Sequence, residues 1–217
     1  MSCRPPAQVA ALLSRIAESL VTLFVVLDPV GSVPIFLNAT GRLNAHERRK
    51  VACVAVSVAL AVLMLFLYFG QYALEGMHIG IPAFRIAGAA ILFLFAVQMI
   101  FSGHHQGGVS EPTRTPVEIA VFPVAMPGIA SPGALLAVVL LTDNARFSLA
   151  EESVTAGLTV IVLGIVLIAL LTAGTILRYL GNAGVMVITQ IMGLVLASFS
   201  VQQVLDGIAE TIAHATH

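Results

Sequence analysis

The sequence predicts an all-α polytopic membrane protein with six transmembrane helices, forming one membrane domain over residues 1–217. Hydrophobic residues fill 59% of the 217 positions, and Asp, Glu, Lys and Arg together only 10%, where an ordinary soluble domain carries about 25% charged residues. The mean hydropathy is +1.01. Crossing the roughly 30 Å of bilayer hydrocarbon takes about 20 mainly apolar residues in a helix. Such stretches recur near 17–39, 51–72, 84–102, 118–142, 154–177 and 185–208.

The first twenty residues carry scattered charges, Arg4, Arg15 and Glu18, with no basic patch followed by an apolar run and a small-residue cleavage site. No cleaved signal peptide is therefore expected. Span one follows, interrupted by Asp28, Pro29, Gly31, Ser32 and Pro34. The first loop holds Arg42, Arg48, Arg49 and Lys50. Spans two and three are continuous, with Arg85 near the start of span three. The loop containing His104 and His105 is rich in Gly and Pro and offers no acidic or cysteine partner at ligand spacing, so no metal site is expected there. Span four is interrupted by Pro123, Pro127, Gly128, Ser131, Pro132 and Gly133. Span five carries no charge and ends at Arg178 and Tyr179. On span six, Gln190, Gly193, Ala197, Ser200 and Gly207 fall on one face at 100° per residue, a small-residue stripe suited to close packing, and Gly157, Gly164 and Thr175 are expected to do the same on span five.

Lys and Arg favour cytoplasmic loops. Loops one, three and five carry Arg42, Arg48, Arg49, Lys50, Arg114 and Arg178; the opposite side has Arg4, Arg15, Arg85 and Arg146. The first loop is therefore expected in the cytoplasm, with both termini outside. A formal net charge of -1 leaves no basic face for nucleic acid. Cys3 and Cys53 cannot build a zinc framework or a disulfide lattice. No nucleophile elbow, HExxH or phosphate loop appears, so neither an enzyme nor a cofactor is expected.

Proline removes a helical hydrogen bond and clashes with the preceding turn, so spans one and four are predicted to break inside the membrane. Asp28-Pro29 and Ser131-Pro132 each place an N-cap residue before a proline, the arrangement favoured where a helix begins. The pairs stand 103 positions apart, and Ile86, Gly88 and Gln98 recur as Ile191, Gly193 and Gln203 at a spacing of 105. An inverted repeat of three plus three spans, 17–102 and 118–208, follows, and paired broken helices in such repeats mark midplane transport sites. Asp28, Gly31, Ser32, Ser131 and Gly133 become the candidate substrate or ion site, with breaks at Pro29, Pro34, Pro127 and Pro132. Two half-helix starts facing one centre would favour an anionic group, and Asp28 could bind a proton or cation. The alternative is that the prolines merely kink the bundle. Arg85 is expected to snorkel to the interface or to pair with an acid inside the bundle. Gln98 and Gln203 are expected to act as interhelical glue.

LDPVGSVPIF, AFRIAGAAILFLFAVQM, PVAMPGIASPGA and ITQIMGLVLASFSVQQVLDGI, in this order, resemble the MarC family of bacterial integral membrane proteins, also known as UPF0056. The resemblance runs from about residue 17 to residue 208. It carries Asp28, Pro29, Gly31, Arg85, Gly88, Pro127, Pro132 and Gly133 onto family-like positions and implies a six-span inner-membrane protein. A distant grouping with amino-acid exporters of the LysE type implies transport. Similar proteins often have Gly where this chain has Ser131, and Arg where it has Gln190. The sequence thus predicts a secondary transporter or exporter of a small polar solute, an amino acid or organic anion, coupled to a proton or cation and surrounded by membrane lipids. The other reading is a non-transporting scaffold or regulator that binds partner helices.

Overall fold

The computed structural model describes residues 6–101, 115–142 and 149–215. His104, His105, Arg4, Arg114 and Arg146 lie outside the described residues. The elements are α1 (Pro6–Leu27), α2 (Ser32–Ala39), α3 (Ala45–Gly76), α4 (Ile81–Phe101), α5 (Pro116–Ile119), a wide-turned π-type stretch (Ala120–Ile129), α6 (Pro132–Leu140), α7 (Leu149–Leu171) and α8 (Ala173–Ala215). Five helical runs are long and apolar enough to cross a membrane, and the bent pair Pro116–Ile129 and Pro132–Leu140 makes a sixth.

Local chemistry sets the helix ends. Asn44 accepts from the Glu47 amide at 2.9 Å while Glu47 accepts from the Asn44 amide at 3.0 Å, a reciprocal cap that starts α3. Thr115 and Glu118 repeat the arrangement at α5. Arg48 turns back to donate to the carbonyls of Thr40 at 3.0 Å and Gly41 at 3.2 Å, satisfying acceptors just past the end of α2, where a cation is favoured. One of the four basic residues of the first loop therefore also closes span one. Gly181, at φ 66 and ψ 174, interrupts α8 and separates its first two turns from the membrane-crossing part, Met186–Ala213.

Buried positions on α3, Val51, Ala52, Ala55, Val56, Ala59, Leu63, Leu67, Gly70, Gln71 and Leu74, recur every three or four residues along one face. That face meets α7, α6 and the π-type stretch. Spans one, two, four and five share the main core, built on Leu23, Leu27, Leu63, Ile129, Leu163 and Leu170. α4 and α8 form a second, smaller cluster around Leu92, Ala96, Met99, Leu196 and Ala197. Large apolar side chains such as Phe69, Ile161, Leu194 and Leu94 face outward, as they do where lipid is the solvent and no hydrophobic force draws them inward.

α4 lies antiparallel to the membrane-crossing part of α8. Arg85 meets Glu210 at one end, and Gln190 Nε2 donates to the Ile100 carbonyl at 3.2 Å near the other. Between them, a Cβ at Gly193 would stand 3.0 Å from the Ala96 carbonyl oxygen and 2.9 Å from Ile100. The small-residue stripe predicted on span six is thus a packing face. The same expectation for span five is corrected: Gly157 and Gly164 face open space, and Thr175 is exposed. α7 packs instead through Leu158, Thr159, Val162, Leu163, Val166 and Leu170. Small residues permit close approach without demanding it, and here the bulky face fills the larger space against α3.

Candidate functional site

The first break begins where Pro29, lacking an N–H, cannot bond the Val25 carbonyl. Asp28 closes α1, its amide donating to Phe24 O at 3.1 Å, and adopts φ 43. Among residues with a side chain, Asp and Asn tolerate this left-handed region best. The Asp28 carboxylate then reaches forward, Oδ1 accepting from the Gly31 amide at 2.8 Å, while its carbonyl accepts from the Ser32 amide at 3.1 Å and from Ser32 Oγ at 2.9 Å. α2 starts only at Ser32, with Gly31 flanking it and Pro34 in its first turn, where a missing N–H does no harm. The expectation that Asp28-Pro29 directly begins a helix is therefore corrected. Asp28 ends one helix and braces the three-residue turn before the next.

The second break follows the prediction more closely. Phe122 (φ -136, ψ 121) and Met126 (φ -129, ψ 127) are extended before Pro123 and Pro127, because a proline disfavours helical backbone in the residue before it. Both X-Pro bonds are cis. Ser131 Oγ accepts from the Ala134 amide at 3.1 Å, with Pro132 at the first helical position. Gly133 is buried in the first turn of α6, against Leu92 of α4. The two breaks differ in shape: Ser14–Ala39 remains one span, whereas span four bends by 55°.

The broken spans meet. α1 packs on α6, and α2 packs on the π-type stretch, with Ile35 against Gly128. Asp28, Ser32 and Ser131 are all buried, at 4%, 3% and 2% relative exposure. Ser32 and Ser131 spend their hydroxyls on neighbouring backbone. Asp28 does not spend all of its carboxylate: Oδ2 is buried without a hydrogen-bond partner. A carboxylate in the bilayer is costly, by about 2.5–3.5 kcal/mol on insertion scales, and such groups face a partner or a pathway. Oδ2 lies over Gly31 and toward α4, since a Cβ at residue 31 would fall on Oδ2 and stand 2.5 Å from the Met99 methyl. Only glycine leaves that space to the carboxylate. Among the described residues no hydrogen bond joins Asp28 to Ser131, so the two candidates sit in adjoining segments without bonding each other.

The sequence model of the MarC family integral membrane proteins matches residues 13–212. The chain belongs to this family. It is 32% identical over 191 residues to a UPF0056 membrane protein of Methanocaldococcus jannaschii, covering 86% of this chain and 92% of that one. With a UPF0056 membrane protein of Pyrococcus abyssi it shares 32% over 198 residues, 91% of this chain and 96% of that one. The UPF0056 inner membrane protein YhgN of Escherichia coli is 29% identical over 196 residues, 90% of this chain and 97% of that one. No solved structure matches the chain.

In this MarC-family chain Arg85 takes the second of its two predicted roles. Its Nη1 lies 3.2 Å from Glu210 Oε1, the side chains being 15% and 26% exposed, and its Nε is buried without a partner. Sequence reasoning missed Glu210 because it lies beyond the predicted end of span six, 208. Only the antiparallel register of α4 on α8, which brings the start of span three to the end of span six, places Glu210 beside Arg85. Gln190 lies near the opposite end of the α4–α8 pair from Arg85 and bonds α4 backbone. Met99 was missed because nothing in a run of apolar residues marks the one that stands beside Gly31 and the Asp28 carboxylate. Gln71 and Thr142 are further polar links inside the bundle, Gln71 to the Val139 carbonyl at 3.5 Å and Thr142 to those of Val138 at 2.6 Å and Leu67 at 3.3 Å.

Proposed function

We propose that this protein is a secondary transporter or exporter of a small polar solute, with its site between broken spans one and four and Asp28 as the coupling group for a proton or cation. The observation that carries the reading is Asp28 Oδ2, a carboxylate oxygen buried inside a membrane span without a partner and placed at a helix break. Broken backbone inside a bilayer is tolerated where it lines a cavity or is buried in protein, and a carboxyl oxygen left without a partner at that point favours the cavity. Gly31 and Ser32 hold Asp28 in place, and Ser131 and Gly133 open the second break, facing an amino acid or organic anion.

The packing supports an inverted repeat of 17–102 and 118–208. Spans one and four, two and five, and three and six each pack together. Exchanging the two halves turns the contact of span one with span five into that of span four with span two, and the contact of span three with span four into that of span six with span one; each of these pairs also packs. Alternating access then follows from rocking of one half against the other. The positive-inside bias supports a cytoplasmic first loop and external termini in a bacterial inner membrane. No nucleic acid or enzymatic chemistry enters this reading, and the surrounding partners are lipids.

Cysteine scanning of 28–34 and 127–134 with a water-borne thiol reagent, after replacing Cys3 and Cys53, tests it. A transport site gives periodic reactivity in both stretches, protected by a transported solute. Two unreactive stretches in a normally inserted protein would refute the site and leave a scaffold that packs partner helices on its outer faces.

A further inference from the structure

We infer that the first break is a binding site for one dehydrated monovalent metal cation, held by Asp28 Oδ2 together with the backbone carbonyls of Val25, Val26 and Leu27. The inference deepens the reading of Asp28 as coupling group and rests on it for its role in transport. The last turn of α1 leaves these three carbonyls without amide donors: residue 29 is proline, the Val30 amide makes no bond to Val26, and the Gly31 amide turns away to Asp28 Oδ1. A helix C-terminus carries about half a negative charge. Here that end, three free carbonyls and a carboxylate oxygen without a partner, 96% of the residue being buried, fall within four consecutive residues. Nothing basic lies in the sequence between residues 16 and 41 to neutralise them.

This ligand set selects the ion. Carbonyl and carboxylate oxygens are hard donors, suited to ions of the alkali and alkaline-earth kind. The described residues hold no group of three or more His, Cys, Asp or Glu, so a transition-metal site is absent among them. One carboxylate balances one positive charge, and a second charge would stand unneutralised in the bilayer. Half-helix C-terminal ends and unwound carbonyls coordinate cations in broken-helix transporters generally. The first break, read by sequence as a helix start favouring anions, thus also presents the electronegative end of α1 beside the start of α2.

The test uses the full chain purified in detergent, with Na+ as the probe. Dicyclohexylcarbodiimide modifies carboxyl groups in apolar surroundings, and the labelled fraction at Asp28 is read by peptide mass at fixed pH while choline is exchanged for Na+ at constant ionic strength. The expected result is saturable protection of Asp28 by Na+ and none by choline, with saturable binding of radioactive Na+ at one site per chain. Asp28→Asn should abolish that binding. Gly31→Ala, whose methyl displaces Oδ2, should weaken it by about 10- to 100-fold, the scale of loss when the orientation of a metal ligand is disturbed. Labelling indifferent to Na+, K+ and Li+ would overturn the proposal in favour of a proton site, as would Na+ binding that survives Asp28→Asn. Protection by Ca2+ or Mg2+ at lower concentration than Na+ would overturn the monovalent assignment. Labelling and binding on the parent chain decide the question even if a variant does not fold. Thiol reactivity without ion protection would leave the transport site standing, and ion protection in a bundle with unreactive breaks would leave the cation site alone.

Discussion

Gly193→Ala and Gly164→Ala are the same substitution in the middle of two membrane helices, and the structure assigns them opposite effects. Both replace glycine by the best helix former, a gain of about 1 kcal/mol. At Gly164 the new methyl meets nothing within 4 Å, so the gain stands alone. At Gly193 it would meet Ile100 Cγ1 at 2.9 Å, Ala96 O at 3.0 Å and Met99 Cβ at 3.1 Å. Ile100 can rotate, but the carbonyl belongs to the backbone of α4 and moves only if the helices separate. Overpacking of this kind costs about 1–3 kcal/mol, and helix association in lipid depends on close van der Waals contact. Because the propensity term is common to both variants, Gly193→Ala should be less stable than Gly164→Ala by about 2 kcal/mol, the middle of that range. The chain has no tryptophan, so unfolding in maltoside micelles titrated with SDS is best followed by pulse proteolysis. Equal stability of the two variants would refute the close packing of α4 on α8.

Removing one member of the half-buried Arg85–Glu210 pair should destabilise by about 1–3 kcal/mol, between the exposed and fully buried limits, and Arg85→Met with Glu210→Leu should recover most of the loss in the same assay. Ser131→Ala should cost about 1 kcal/mol as a lost N-cap and Ser131→Gly only a few tenths; unfolding midpoints check both. Thr142→Val removes a hydroxyl shared between α6 and α3 carbonyls and should cost about 0.6 kcal/mol, the average for an interhelical hydrogen bond in a membrane protein; a loss above about 2 kcal/mol would exceed the largest measured value of that kind. The thiol scan should give reactive positions in both 28–34 and 127–134, with Asn38, exposed at the end of α2, as a positive control.

The sequence by itself determined the number of spans, their approximate limits, and the existence of two breaks, because these follow from local terms. Apolar length against bilayer thickness fixes a span, and proline fixes where the backbone ladder fails. The Ser131 cap was legible for the same reason: its bond to Ala134 closes over three residues. Span six revealed its packing face because glycine and alanine at helical spacing admit a neighbour that bulkier residues would exclude.

Tertiary structure decided what depended on separation in sequence or on the direction of a side chain. Asp28 reads as a helix start from its proline neighbour, yet it ends α1, since the left-handed turn lets its carboxylate take the Gly31 amide and leaves Oδ2 over. Arg85 could have snorkelled, and only the antiparallel register of α4 on α8 brings Glu210 beside it. Gly157 and Gly164 look like Gly193 and Gly207 in the sequence but face outward, because a glycine records that a neighbour could approach, and only the packing of the other helices determines whether one does.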